Sequence, residues 1–265
     1  MRAEEIIKLL EKQFPPQLAM DWDNVGLLVG DPEQEIHRLL VSLDITADVV
    51  EEAIAMGAEL IVSHHPLMNC KWLPVQTLRE DTPQGRMLRR MARADIAAIC
   101  MHTNLDAAEG GVNDLLADLF GIRQRTAFAD GCGRVGDIDP ITVPELAALA
   151  QRKLAALCNA PDTGTAVQVK FVDTGKPVHR LAVISGAGGS LFAEAIAEGA
   201  DCLLTGEANH HHALDAKRLG LSLIAAGHYA TEFPVTAAVA AALRTALPEL
   251  EVLVSTENRD PYTYL

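Results

Sequence analysis

Two stretches of this chain repeat one another. EAIAMGAELIV at 52–62 and EAIAEGADCLL at 194–204 share the frame EAIAxGA. Such a match limits the fold more than composition does, because each copy must build the same small unit. In the same alignment Val49, Val50, Ala53 and Ile54 correspond to Leu191, Phe192, Ala195 and Ile196. Their i, i+1, i+4, i+5 spacing is that of a helix stripe facing a core. Gly57 and Gly199 follow the stripes, where a left-handed C-terminal cap favours glycine. Apolar runs precede the helices (RLLVSL at 38–43, RLAVIS at 180–185) and others follow them (ELIVS at 59–63, DCLLT at 201–205). Each copy therefore reads as strand, helix, strand, the pattern of a right-handed βαβ unit with parallel strands.

A second pair is shorter and chemically sharper. DIAAICM at 95–101 leads into His102 and then Asp106, and LSLIAAG at 221–227 leads into His228 and then Glu232. Apolar helices are expected after each, around VNDLLADLF at 112–120 and VTAAVAAALRTAL at 235–247. The two matches in one order indicate an α/β fold produced by internal duplication, with halves at about 1–126 and 127–265, each a small α/β sandwich. The segment GCGRVGDIDP at 131–140 is rich in Gly, Asp and Pro and reads as a turn-laden connection between them.

The bulk properties remove several classes of function. The chain has 265 residues, 49% hydrophobic and 22% charged, which suits a globular protein with a real core. Its start, MRAEEIIKLLEKQF, reads as an amphipathic helix with early acids rather than as a secretion signal. No apolar run approaches the roughly 20 residues a membrane span needs, so the expected location is the cytoplasm and no membrane partner is expected. The formal net charge is −14, which repels phosphate backbones and disfavours a broad nucleic-acid-binding face. Five cysteines fall without CxxC spacing or a disulfide framework, and Cys100 and Cys202 sit in apolar runs as expected buried, reduced thiols.

Open parallel sheets place their sites beyond the carboxyl ends of the strands. His64–His65, His102 and His228 stand at or just past such ends, and Asp106, Glu207 and Glu232 accompany them. Adjacent side chains in an extended segment point to opposite faces, so His64 and His65 would serve two metal ions rather than one, with a carboxylate bridging. A binuclear site of this kind acidifies a water at neutral pH. Imidazole and carboxylate without thiolate suit Zn, Fe, Mn, Co or Ni.

Plainer readings compete. Asp106 would serve as a helix-start residue and Glu232 as a first-turn acid favoured by the helix dipole. His210, His211 and His212 would form a solvated helix start, and His37 and His179 precede strands. What capping alone does not explain is the duplicated His-x-x-x-acid unit. GAGGS at 186–190 lacks the lysine of a phosphate-binding loop and reads as a tight strand–helix turn. Ser63 is a strand-end residue, since no Gly-x-Ser-x-Gly elbow is present.

WDNVGLLVG (22–30), SHHPL (63–67), HTNLDAAEGGVND (102–114), GCGRVGDI (131–138), TGEANHH (205–211) and GHYATE (227–232) together resemble the dinuclear-metal-centre family of GTP cyclohydrolase I type 2 homologues. The resemblance implies two interlinked α/β domains of similar topology. It implies two divalent metal ions held by His64, His65, Asp106, His228 and Glu232, and toroidal homohexamers whose metal sites face an inner cavity. His102, Glu207 and His211 are placed nearby, as residues that orient the ligands or carry protons in catalysis. The implied activity is a metal-dependent hydrolase with a nucleotide, GTP, as substrate. The alternative is a non-catalytic ring that stores, delivers or senses metal.

Overall fold

The computed structural model describes residues 1–68, 77–158 and 167–263; Cys70 lies outside the described residues. The fold is mixed α/β, built on two sheets. In chain order the strands are β1 (Gly26–Val29), β2 (Arg38–Ser42), β3 (Leu60–Ser63), β4 (Ala97–Cys100), β5 (Arg123–Phe128) and β6 (Gly133–Ile141). They continue with β7 (Lys170–Val172), β8 (Val178–Ile184), β9 (Cys202–Thr205), β10 (Ser222–Ala225) and β11 (Glu251–Val254).

The chain divides into two compact units, Met1–Ala108 with Val235–Arg259, and Glu109–Pro234 with Asp260–Leu265. The division falls earlier than the 126/127 expected from the repeat. Strand pairing is the reason: β5 pairs antiparallel with β6 and belongs to the second sheet. The chain later returns, and β11 pairs parallel with β2 of the first sheet.

In the first unit the sheet order is β1-β4-β3-β2-β11. β4, β3, β2 and β11 run parallel, and β1 joins antiparallel to β4. Leu39, Leu40, Ile61, Ala98 and Ile99 are fully buried, the near-continuous apolar character of parallel strands covered on both faces. Each such Leu or Ile side chain contributes about 1.5–3 kcal/mol relative to exposure. The register pairs Ser42 with Ser63 and Ser63 with Cys100, so the segments after β2, β3 and β4 leave from one edge. Helix Ala47–Met56 starts where the Thr46 side chain accepts from the Val49 N–H, and ends at Gly57 with φ +68°. Val49, Val50 and Ala53 of the stripe are buried together with Glu52, and Ile54 is partly buried against the same core. The N-terminal helix spans Ala3–Gln13 and buries Ala3, Ile6 and Leu10.

In the second unit the order is β5-β6-β8-β9-β10-β7. β8, β9 and β10 are parallel, with Ile184 opposite Thr205 and Thr205 opposite Ala225. The second copy of the repeat thus also forms strand, helix, strand. Its helix, Phe192–Ala197, is shorter and follows a 3-10 turn at Gly188–Leu191; Gly199 beyond it has φ +76°.

Of the connection expected at 131–140, Gly131 and Cys132 do turn, Gly131 with φ +90°, but the rest is β6, paired with β5 and β8. Its glycines answer to close packing rather than to turning. A Cβ on Gly133 would lie 2.3 Å from the Phe128 ring, and one on Gly136 would lie 2.3 Å from the Arg123 carbonyl oxygen. Cys100 and Cys202 are fully buried, and burial pushes the Cys202 thiol far above the usual range. Among the described residues no helix is long and apolar enough to cross a membrane.

Candidate metal centre

At the carboxyl edge of the first sheet, three imidazoles gather. The ring centroids of His64 and His65 are 4.9 Å apart, those of His64 and His102 5.1 Å, and those of His65 and His102 5.5 Å. One nitrogen from each lies within 4.8 Å of the other two. β3 stops at Ser63, so the alternation expected of His64 and His65 does not govern them. Both lie in the bend beyond the strand and converge. The Ser63 hydroxyl sits at this corner, donating to the His65 carbonyl at 2.9 Å and meeting Cys100 Sγ at 3.1 Å.

Each ring is held through Nδ1 by an oxygen. His64 Nδ1 is 2.9 Å from the Met101 carbonyl. His65 Nδ1 is 2.7 Å from Asp44 Oδ1. His102 Nδ1 is 2.9 Å from both oxygens of Asp23. Carbonyls and ionised carboxylates only accept, so these contacts put a proton on Nδ1, and in the neutral form of each ring Nε2 is the lone-pair donor. That is the arrangement by which proteins orient imidazoles toward a metal. Asp106, in helix Thr103–Ala107, places Oδ1 3.7 Å from His64 Nε2.

Asp23 is fully enclosed at its side chain. Burial alone would raise its carboxyl, but the hydrogen bond and charge of His102, with the Thr103 hydroxyl and N–H, outweigh it and hold the group at about 2. Its links to Thr103 Oγ1 (2.5 Å) and Thr103 N (3.0 Å) also tie it to the start of the helix that carries Asp106.

In the second unit His228 opens helix His228–Glu232. The i, i+4 relation stacks the two side chains, with Nε2 3.0 Å from Glu232 Oε2, while Nδ1 lies 3.5 Å from Glu207 Oε2. Glu232 is buried and Glu207 exposed. The GAGGS segment closes on this cluster: Gly186 N donates to Thr231 Oγ1 at 3.1 Å, and Glu207 N donates to the Gly186 carbonyl at 2.7 Å. His210 and His211 are exposed on helix His210–Arg218, their rings 5.6 Å apart. No hydrogen bond or ion pair among the described residues joins His211 to His228 or Glu232.

Imidazole nitrogens and carboxylate oxygens in both clusters form a donor set suited to borderline divalent metals, and the Nδ1 anchoring fits them to that role. Sequence reasoning missed Asp23 and Asp44. Asp44 could have been found by the rule that located the histidines, since it follows β2 at the same edge. Asp23 lies in the WDNVG segment with no periodic signal to mark it.

A two-sheet α/β protein carrying histidine–carboxylate clusters at strand ends is the class that fold and site define. The chain belongs to the Duf34/NIF3 (NGG1p interacting factor 3) family, whose model matches residues 1–261. A Clostridium perfringens GTP cyclohydrolase 1 type 2 homolog is 33% identical over 274 residues, covering 100% of both chains. A Streptomyces coelicolor protein of the same name is 36% identical, covering 99% of this chain and 94% of its own. Among solved structures, the Staphylococcus aureus hypothetical protein SA1388 superposes with a TM-score of 0.87 at 30% identity, covering 100% of this chain and 99% of that one. Reduced HcgD from Methanocaldococcus jannaschii gives 0.80 at 30% identity, covering 96% and 97%.

Proposed function

We propose that the chain is a cytoplasmic, dinuclear metal-dependent hydrolase acting on a nucleotide, of the kind named by its GTP cyclohydrolase 1 type 2 relatives. The observation that carries the reading is the Nδ1 anchoring of His64, His65 and His102 by oxygen acceptors. A buried histidine that only packs also needs its nitrogen satisfied, but it does not need two further anchored rings with centroids 4.9–5.5 Å away. His64, His65, Asp106, His228 and Glu232 are the ligands. Each unit carries its own histidine–carboxylate cluster, His64, His65 and Asp106 in the first and His228 and Glu232 in the second, which supports a reading with two ions.

Two such ions supply Lewis acidity and bring the pKa of water toward neutrality. The protein's own part is to orient and to handle protons. Asp23 fixes the His102 ring, whose Nε2 accepts a proton from an attacking water or returns one to a leaving group. Glu207 orients His228 through Nδ1. The assembly in this reading is a homohexameric ring.

Elemental analysis of purified and reconstituted protein, followed by turnover of a nucleotide and ester panel, tests the reading. About two ions per chain and hydrolysis lost in His65→Ala are the expected result. Metal uptake with no turnover of any substrate would favour storage, delivery or sensing of metal. Protein that takes up no ion under any reconstitution would end the proposal. Light scattering that shows a stable monomer at micromolar concentration would remove the ring.

A further inference from the structure

The segment after β11 reaches the candidate metal centre by a route that the ligand set does not include. Glu52, on helix Ala47–Met56, is a buried carboxylate. It accepts from the Ser255 hydroxyl, from Thr256 N at 2.8 Å and from Thr256 Oγ1 at 2.7 Å. A buried carboxylate requires such donors, and here they are the residues just past the last strand. Ser255 in turn accepts from the Asn258 N–H at 3.2 Å, which delivers the Asn258 side chain, 3% exposed, to the segment after β2.

There the orientation of the Asn258 amide is fixed. Leu43 N donates to Oδ1 at 2.6 Å and Asp44 N donates to it at 3.3 Å. Two backbone donors require the oxygen on that side, so Nδ2 faces the other way, 3.4 Å from Asp44 Oδ2. The second carboxylate oxygen, Oδ1, holds His65 Nδ1 at 2.7 Å. Asn258 thus grips both the backbone and the side chain of Asp44, whose side chain is 39% exposed.

We propose that Asn258 is a positioning residue for the His65 imidazole, acting through Asp44. By fixing the Asp44 carboxylate it holds His65 as the Nδ1–H tautomer, with Nε2 turned to the cluster that includes His64 and His102. The role in metal binding rests on the functional reading above; the effect on the tautomer does not.

The experiment uses the full chain in two states. In metal-free protein, nitrogen NMR of the histidine rings reads the His65 tautomer, with the signals assigned by their loss in His65→Ala. Wild type is expected to show one tautomer, protonated at Nδ1. Asp44→Ala and Asn258→Ala should both give mixed signals. Thr256→Ala, which weakens the same strap but leaves the Asn258 side chain in place, should keep the wild-type pattern. Asn258→Asp is the second variant, because it keeps the acceptor for Leu43 and Asp44 N–H but replaces the donor to Asp44 by a repelling carboxylate. It should disturb His65 at least as much as Asn258→Ala.

In the second state, titration with Co²⁺ should show about a tenfold loss of affinity for one ion in Asn258→Ala and somewhat more in Asp44→Ala, the usual scale for residues that orient a ligand. An unchanged His65 tautomer in both Asn258 variants would overturn the proposal, as would an equal change in Thr256→Ala. Wild-type protein that binds no Co²⁺ would remove the metal reading alone, because the tautomer comparison would still decide whether Asn258 acts on His65.

Discussion

Glu232 occupies space that exists because residue 186 has no side chain. A Cβ built on Gly186 would stand 2.1 Å from Glu232 Oε1 and 3.1 Å from His228 Nε2. The backbone makes the same demand, since Gly186 has φ +55°. An L-residue there costs roughly 1–2 kcal/mol. Gly186→Ala should therefore lower stability by about that amount and push the Glu232 carboxylate off His228, reducing metal uptake. Thermal unfolding and elemental analysis read the two effects separately. Full metal content at unchanged Tm would show that the contact is easily relieved.

Asp23 predicts how the first unit behaves in acid. Its carboxyl titrates at about 2 in the fold against an ordinary 3.8. A depressed pKa contributes stability above the unfolded value and loses it as the pH falls through the folded one. The contribution is about 2 kcal/mol, present above about pH 4 and gone by about pH 2. Asp23→Asn should lower stability at neutral pH and flatten the acid limb of the unfolding curve across that window. A variant with the wild-type acid limb would show that Asp23 does not set it.

The sequence carried the repeat because helix stripes and strand runs are periodic, and the βαβ order of both copies follows from periods alone. Helix Ala47–Met56 with Gly57, and strands β2, β3, β8 and β9, fall where the pattern puts them. β6 was misread because Gly and Asp in GCGRVGDIDP signal turns locally, whereas Gly133 and Gly136 are there to admit Phe128 and the Arg123 backbone. That information lies in the partner strand, not in the segment. The histidine cluster was visible from the rule about strand ends, but the direction of His64 and His65 was not, because it depends on β3 ending at Ser63. Asn258 was out of reach altogether, joined to Asp44 only by the return of the chain through β11.

Arg134 offers a stability test inside the misread strand. Its Nε donates to Asp114 Oδ1 at 2.6 Å, and the two side chains are 8% and 7% exposed. Burial opposes ionisation of Asp114, but the Gly110 N–H and Arg134 keep its carboxyl below the usual range. Arg134→Met fills the volume but leaves the buried Asp114 carboxylate with Arg125 Nε at 3.6 Å and the Gly110 N–H at 2.7 Å, so the loss should stay below the roughly 3–5 kcal/mol of a fully unpaired buried charge. Chemical denaturation measures it. The double variant with Asp114→Asn should recover much of the loss, and no recovery would mean that Arg134 acts through the Gly131 and Gly133 carbonyls it also contacts.

Glu232 and Asp106 separate two roles within the proposed ligand set. Both follow a histidine by four residues, in the short helices His228–Glu232 and Thr103–Ala107. Glutamate is one methylene longer, so from an equivalent backbone position it reaches farther and is the better candidate to hold both ions. It is also the more enclosed, with a side chain 5% exposed against 12% for Asp106. A carboxylate so buried has little water to stabilise it and depends on cationic partners. Glu232→Gln keeps the shape but removes the charge that offsets two cations, so metal content should fall toward zero and any hydrolysis with it. Asp106→Asn should lose mainly one ion and leave a mononuclear site. Elemental analysis of both variants beside wild type gives the stoichiometry, and circular dichroism checks that each is folded. Equal metal content in the two variants would show that Glu232 does not bridge and that the ligand roles must be reassigned.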